Sequence, residues 1–278
     1  EGESLSQVRD VDVAFALLHG PFGEDGTIQG MFEMVGVRYV GADVAASAIG
    51  MDKHVMKMVL AAAGIPMGPY TIVQPQEWTA DPDSAIAAAS ALRFPVYVKP
   101  ARGGSSLGIS RVIAPEGLGA AIVAARQYDP KVIIEQGFID VREIECAVLG
   151  SPGDGAPRTS LLGEIRMHTE DAFYDFDAKY LPEEQVSLLV PAQVDAALES
   201  RVQELASRTF RAVGCEGLAR VDTFVTPDGE VFVNEINTMP GFTKFSMFPM
   251  LWQASGIEYP ELIAELIRLA IARPLGLR

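Results

Sequence analysis

Apolar and polar positions follow two rhythms along the chain, and the switches between them predict a mixed series of strands and helices. Residues 11–18 form an apolar run that reads as a buried strand, ending at His19-Gly20. A turn through Gly23-Glu24-Asp25-Gly26 leads to a helix over 27–35, and 37–40 is the next short strand, so the chain opens within a βα unit. Helical spacing over 51–63 stops at Gly64-Ile65-Pro66, and 70–73 is extended. Further on, the pattern predicts a helix over 85–92, a strand over 94–100, a flexible loop over 101–108 and a strand over 109–113. A helix over 118–126 and strands over 132–135 and 143–149 follow. Turn residues cluster at 151–157, 173–181 reads as a long functional loop, and helices over 194–213 and 260–272 complete the series. No internal repeat or low-complexity linker interrupts it.

One hairpin carries chemistry. Val221, Thr223 and Val225 alternate with Asp222 and Phe224, Pro227-Asp228-Gly229 supplies a turn, and Val231-Phe232-Val233 resumes the strand. In an antiparallel pair, Asp222 on one strand and Glu235 with Asn237 on the other can share a face. Hard oxygen donors of this kind suit magnesium, which keeps several waters and completes its shell with substrate phosphates. A solvated turn face is the alternative, and the apolar strands around these carboxylates weigh against it.

Composition narrows the partners. The 278 residues are 49% hydrophobic and 21% charged, enough for a sizeable core and two or three packed units. A net charge of −15 excludes nucleic acid and an anionic membrane surface as partners, whereas a few placed cations suffice for a nucleotide. Cys146 and Cys215 lie in no paired-ligand pattern and read as buried, reduced thiols in a cytoplasmic protein. No apolar run reaches the roughly 18 residues of a membrane span.

A second constellation is the loop Gly103-Gly104-Ser105-Ser106-Leu107-Gly108. Its glycines let backbone amides approach an anion and its serines add hydroxyls, as a phosphate cradle needs. It is not a Walker loop, and no dinucleotide fingerprint follows the first strand. Just before it, Lys99 ends an apolar strand, where an inward ammonium needs an anionic partner such as a phosphate. His54, His168 and the methionines around Met250 read as packing or surface residues.

Taken in order, Met51-Asp52-Lys53, Val98-Lys99-Pro100, the Gly/Ser loop, Glu135, Arg220-Val221-Asp222 and Glu235-Ile236-Asn237 resemble the motif series of ATP-grasp ligases. Leu18-His19-Gly20 with Gly23 to Gly30, Phe173-Tyr174-Asp175 with Ala178-Lys179-Tyr180, and Asn237-Thr238-Met239-Pro240-Gly241 with Ser246 are similar to the D-alanine–D-alanine ligase family. The likeness runs from about residue 11 to the C-terminus. It implies a mixed α/β (α+β) ATP-grasp fold of three domains. These would be the remainder of an N-terminal βα domain over 1–41, a central subdomain over 42–138 and a C-terminal subdomain over 139–278. The strand, glycine-rich turn and carboxylate that open this family and grip the first D-alanine have no counterpart before Val11.

The resemblance also implies roles. Lys53 and Lys99, with Ser105, Ser106 and Tyr174 beside them, would serve ATP. Glu135 would meet the adenine amino group, Phe138 would offer a backbone contact to adenine, and Glu143 would bind the ribose hydroxyls. Asp222, Glu235 and Asn237 would hold two Mg²⁺ or Mn²⁺ ions, with potassium activation left open. Lys179 would reach the γ-phosphate, while Ser105 and Tyr180 would pair near the substrates and help close the loop. His19 would sit beside the first D-alanine, Arg220 and the Gly241 amide would steady the tetrahedral intermediate, and Ser246 with the Met247 amide would hold the second carboxylate. A homodimer is implied as well. Ligation of D-alanine to D-lactate or D-serine, and a non-catalytic ATP-binding protein, are the alternatives; Tyr180 and the complete metal and Arg220 set speak against them.

Overall fold

The computed structural model describes residues 10–104, 107–151, 155–167 and 186–274. In chain order the elements begin with β1 (Val13–Ala14), α1 (Thr27–Val35), β2 (Arg38–Tyr39), α2 (Val44–Met51) and α3 (Lys53–Ala62). Next come β3 (Tyr70–Val73), α4 (Pro75–Ala80), α5 (Pro82–Ser90), β4 (Val96–Pro100), β5 (Ser110–Val112), α6 (Leu118–Ala125), β6 (Val132–Gln136) and β7 (Arg142–Gly150). The series ends with β8 (Arg158–Met167), β9 (Val186–Leu189), α7 (Ala196–Ala212), β10 (Gly217–Val225), β11 (Val231–Asn237), α8 (Met247–Ala254) and α9 (Tyr259–Ala272).

Three sheets organise these elements: a parallel pair β1-β2, an antiparallel sheet in the order β3-β6-β4-β5, and an antiparallel sheet in the order β11-β10-β7-β8-β9. The four-stranded sheet buries Val96, Val98, Val132 and Ile134 against α5 and α6, whose Ala89, Leu118 and Ile122 complete that core. The five-stranded sheet is covered on both faces. Ile144, Cys146, Val148 and Val221 pack on α7 and on Met56 and Leu60 of α3. Ala147, Leu149 and Leu218, on the opposite pleat, meet Phe248, Leu251 and Trp252 of α8 and Leu262 and Leu266 of α9. Each of these large side chains contributes on the order of 1.5–3 kcal/mol by leaving water.

Alternation in β7 has a consequence for function. Glu143, Glu145, Ala147 and Leu149 share one face, because successive strand residues point to opposite sides. Helices α8 and α9 cover the Ala147–Leu149 half of that face, and the Glu143–Glu145 half lines a cavity.

The N-terminal elements are pinned to this sheet by a close approach and a buried cation. Gly217, at φ +71°, lies so near Gly41 that a Cβ there would sit 2.9 Å from the Gly41 nitrogen. Arg273 donates to the Gly41 carbonyl at 2.7 Å, pairs with Glu216 and Glu33, and lies over the Tyr39 ring at 3.9 Å.

Helix 27–35 and strand 70–73 form over the expected residues. Two expectations need correction. The strand expected over 11–18 is reduced to β1, since β2 is its partner for two residues, and Leu17 and Leu18 stand exposed. The helix expected over 51–63 is two helices broken at Asp52, whose side chain accepts from the His54 and Val55 amides and so starts α3. The elements α2, α4, α8, β8 and β9 had no clear periodic signal. In β8 the run Thr159-Ser160-Leu161-Leu162-Gly163 lacks alternation because the strand lies inside a sheet covered on both faces. The loop over 173–181 lies outside the described residues, as does His168.

Candidate active site

A cavity of about 710 Å³ opens between the two larger sheets. All thirteen predicted site residues among the described ones line it: His19, Lys53, Lys99, Glu135, Phe138, Glu143, Arg220, Asp222, Glu235, Asn237, Gly241, Ser246 and Met247. Ser105, Ser106, Tyr174, Lys179 and Tyr180 lie outside the described residues.

The wall from the four-stranded sheet carries cations. Glu135 on β6 sits between Tyr70 on β3 and Tyr97 on β4. Its carboxylate accepts from Lys57 at 2.7 Å and from Lys99 at 2.5 Å, while Lys57 lies 5.4 Å from the Tyr70 ring and Lys99 5.9 Å from the Tyr97 ring. All three charged groups are buried. Burial alone would raise the Glu135 pKa, but the two ammonium groups outweigh it and hold the carboxyl far below the usual range. Burial likewise works against the Lys99 charge, yet Glu135 keeps that ammonium above its ordinary pKa. The anionic partner expected for Lys99 is therefore supplied by the protein. Glu135, expected at the adenine amino group, is engaged by two lysines. Two lysines to one carboxylate leave this wall positive.

Lys53 is placed by its neighbours. Asp52 caps α3 and pairs with Lys131 at 2.5 Å, and the Lys53 amide donates to the Ala101 carbonyl. The Lys53 ammonium then reaches the Gly103 carbonyl at 3.1 Å and lies 3.4 Å from Glu235.

Opposite stands a wall rich in carboxylates. Asp222 on β10 lies directly between Glu145 on β7 and Glu235 on β11, and Arg220 faces Asn237. The hairpin brings Asp222, Glu235 and Asn237 onto one face, as expected. Arg220 forks onto Asp222 with both contacts at 2.7 Å, and its Nε lies 3.1 Å from Glu145. The Asn237 amide donates to Asp222 at 2.9 Å, which turns its carbonyl oxygen into an available donor atom for a cation. Burial disfavours the Arg220 charge, but Asp222 and Glu145 hold its pKa well above the ordinary value. Glu143 is different: burial first, then the Asp222 charge, pushes its carboxyl up to about 7.

Among the described residues, no three His, Cys, Asp or Glu side chains converge on one cation position. The donor set available to a divalent ion is Asp222 and Glu235 completed by the Asn237 oxygen, which suits a hard cation that draws further oxygens from phosphate. The residues fit such an ion.

At the far end, the His19 Nδ1 is 3.1 Å from the Met239 carbonyl, and the Gly20 amide donates to Glu24 at 2.5 Å. Ser246 precedes α8, and its hydroxyl accepts from the Thr243 amide at 3.1 Å. The Phe138 ring packs on Phe224 and Phe232, with centroids 5.4 and 5.0 Å apart. Sequence reasoning missed Lys57 and Glu145. Lys57 is one helical turn beyond Lys53 and Glu145 two strand residues beyond Glu143, so both periods contained the signal.

Comparison with known proteins agrees with this geometry. The family model described as D-ala D-ala ligase C-terminus matches residues 59–268, and that described as D-ala D-ala ligase N-terminus matches 1–42. The D-alanine–D-alanine ligase of Arthrobacter sp. is 57% identical over 96% of this chain and 70% of its own length. That of Kocuria rhizophila is 54% identical over all of this chain and 72% of its own. The solved D-alanine-D-alanine ligase from Coxiella burnetii superposes with a TM-score of 0.81 at 37% identity, covering 95% of this chain and 69% of that one. The VanG D-Ala:D-Ser ligase from Enterococcus faecalis gives 0.84 at 37% identity, covering 95% and 74%. With an anion-seeking wall, a cation-seeking wall and these matches together, the chain belongs to the D-alanine–D-alanine ligase family, an ATP-grasp fold.

Proposed function

We propose that the cavity binds ATP and two D-alanines and joins the amino acids into D-alanyl-D-alanine, a building block of peptidoglycan precursors. The observation that carries this reading is the pairing of two oppositely biased walls across one cavity, with every described residue of the predicted site on its lining.

Lys53 and Lys99 receive the nucleotide phosphates, and Phe138 and Glu135 lie toward the base. Glu143 faces the ribose, where a carboxyl group accepts from adjacent hydroxyls. Asp222, Glu235 and Asn237 would hold the divalent cations, magnesium or manganese, which when bound neutralise charge on the phosphates during transfer. The γ-phosphoryl moves to the carboxylate of the first D-alanine, giving ADP and an acyl phosphate. The amine of the second D-alanine then attacks that carbonyl. Arg220 and the Gly241 amide stabilise the oxyanion, inorganic phosphate leaves, and the new amide nitrogen loses its proton. His19 lies beside the first substrate, and Ser246 with the Met247 amide holds the carboxylate of the second. Ser105, Ser106, Tyr174, Lys179 and Tyr180 complete the set on family resemblance, the loop excluding water from an acyl phosphate that would otherwise hydrolyse.

The three-unit division at 1–41, 42–138 and 139–278 is supported by the sheets, one in each, although α2 and α3 pack into the core of the third. Among the described residues no helix is long and apolar enough to cross a membrane. Both cysteines are buried and free, which supports a reducing cytoplasm. The family resemblance supports a homodimer, which sedimentation tests.

The decisive experiment is phosphate release from ATP by the complete protein with D-alanine, L-alanine, or D-alanine plus D-serine or D-lactate, with products identified by mass. Release and a dipeptide mass with D-alanine alone support the reading. A mixed product of comparable yield reassigns the second substrate, and nucleotide binding without turnover overturns catalysis.

A further inference from the structure

Asp222 has two claims on it. As a cation ligand under the proposed function it must offer its oxygens to a metal, yet both are held by Arg220, each contact at 2.7 Å, in a partly buried bidentate pair. Such pairs are among the stronger polar contacts in proteins, and stripping one partner strands the other charge. A ligand that simply displaced the guanidinium would leave it in a low-dielectric pocket.

The structure holds a second seat for it. Glu145 lies directly across from Asp222 on the neighbouring strand β7, on the same face, and is 3% exposed. Its Oε2 is 3.1 Å from the Arg220 Nε, the atom that also contacts Asp222. Across the other edge of β7, Glu145 faces Gly163 of β8, over which Met247 and Leu251 pack. Arg220 thus stands between two carboxylates, tightly on one and loosely on the other. Nothing in the proposed reaction uses Glu145 directly.

We propose that Glu145 is a positioning residue that takes over the Arg220 guanidinium when Asp222 turns to a divalent cation. The exchange keeps Arg220 paired in both states and releases both oxygens of Asp222. It also leaves the guanidinium aimed along the sheet face at the cavity, where the oxyanion forms. The inference rests on the assignment of Asp222 as a cation ligand.

Its test is Mn²⁺ binding by the complete protein with ADP and no amino acid, followed by electron paramagnetic resonance, so that turnover plays no part. Glu145→Gln keeps the shape but not the charge, and is expected to weaken Mn²⁺ binding about tenfold or more, the scale on which groups behind metal ligands act. Simple loss of a nearby negative charge predicts the same fall, and a double-mutant cycle separates the two. In an Arg220→Met background no guanidinium competes for Asp222, so Glu145→Gln is expected to change Mn²⁺ affinity less than twofold. An equal loss in both backgrounds overturns the exchange. Asp222→Asn is the control for the site itself. If it abolishes Mn²⁺ binding while Glu145→Gln does not weaken it, the exchange fails and the site stands; if it leaves binding intact, the site assignment and the exchange fall together. Should the variants not fold, crystals of the unaltered protein with and without Mn²⁺ and ADP decide. A bidentate Arg220–Glu145 pair with Asp222 on the metal supports the proposal, and Arg220 unmoved on Asp222 overturns it.

Discussion

The two walls of the cavity use the same materials to opposite ends. At the four-stranded sheet, Lys99 of β4 and Lys57 of the adjoining helix α3 share one carboxylate, Glu135, and the cluster ends with surplus positive charge. On the five-stranded sheet, Glu145, Asp222 and Glu235 stand in a row across three strands with Arg220 and Lys53 as the cations beside them, and the cluster ends negative. The first is closed, with each oxygen of Glu135 matched to one ammonium. The second is open, with Arg220 reaching two carboxylates at once. Closed clusters hold geometry, and open ones leave alternatives for a ligand to select. Phosphate and its counter-cation therefore meet prepared surfaces of opposite sign.

The comparison can be broken most sharply at Arg220. Arg220→Met should lower kcat by on the order of 10²–10³, the loss typical of one oxyanion-stabilising donor. Mn²⁺ affinity with ADP should hold or improve, because Asp222 loses its competitor. A parallel fall in both quantities would make Arg220 a structural prop of the wall. On the closed wall the expected loss is stability. Glu135→Leu strands two buried ammonium groups and should cost roughly 3–5 kcal/mol, read from the urea midpoint, whereas a loss confined to nucleotide affinity would mean that Glu135 is not what holds the lysines.

Glu143 sharpens the contrast through pH. Its carboxyl is raised to about 7 against an ordinary 4.5, chiefly by burial and then by Asp222. A raised pKa gives full native stability below about pH 4.5 and loses it progressively as pH rises through 7, because the native state resists releasing the proton. Glu143→Gln should therefore stabilise the ligand-free protein at pH 8 relative to pH 5 by on the order of 2 kcal/mol, measured by urea unfolding at both values. No difference between the two pH values would show that solvent reaches Glu143 freely. The smallest effect belongs outside both walls: Arg158→Ala breaks a half-exposed pair with Glu265 and should change stability by at most about 1 kcal/mol, with kcat unaltered.

Much of the site is legible in the order of residues alone. Period two and the turn at Pro227-Asp228-Gly229 make the hairpin legible, but a β-bulge after Asp222 shifts its register by one, so that Glu235 rather than Asn234 stands opposite Asp222. The motif Met51-Asp52-Lys53 is readable as chemistry, but its mechanics, an Asp cap that starts α3 and aims Lys53 at the cavity, need the fold. Lys57 and Glu145 fall in step with Lys53 and Glu143, but what each does is not readable from that period, for one physical reason. A buried charge is recognisable only with its partner, and their partners, Glu135 and Arg220, lie 78 and 75 positions away. Strand β8 escapes notice because a strand inside a sheet covered on both faces need not alternate, and β9, four residues at the sheet's edge, is too short to show a period.

By itself, then, the sequence determined the local elements with strong periods, the hairpin and its metal-suited oxygens, the phosphate-seeking lysines and, through its motif series, the family. These follow from interactions between residues near one another in the chain. Tertiary structure alone decided that Glu135 belongs to two lysines, that Arg220 is shared between Asp222 and Glu145, and that half of one sheet face is core while the other half is cavity. Those outcomes depend on which distant strands and helices meet, and on burial, which makes a charge depend on the partner that folding brings to it.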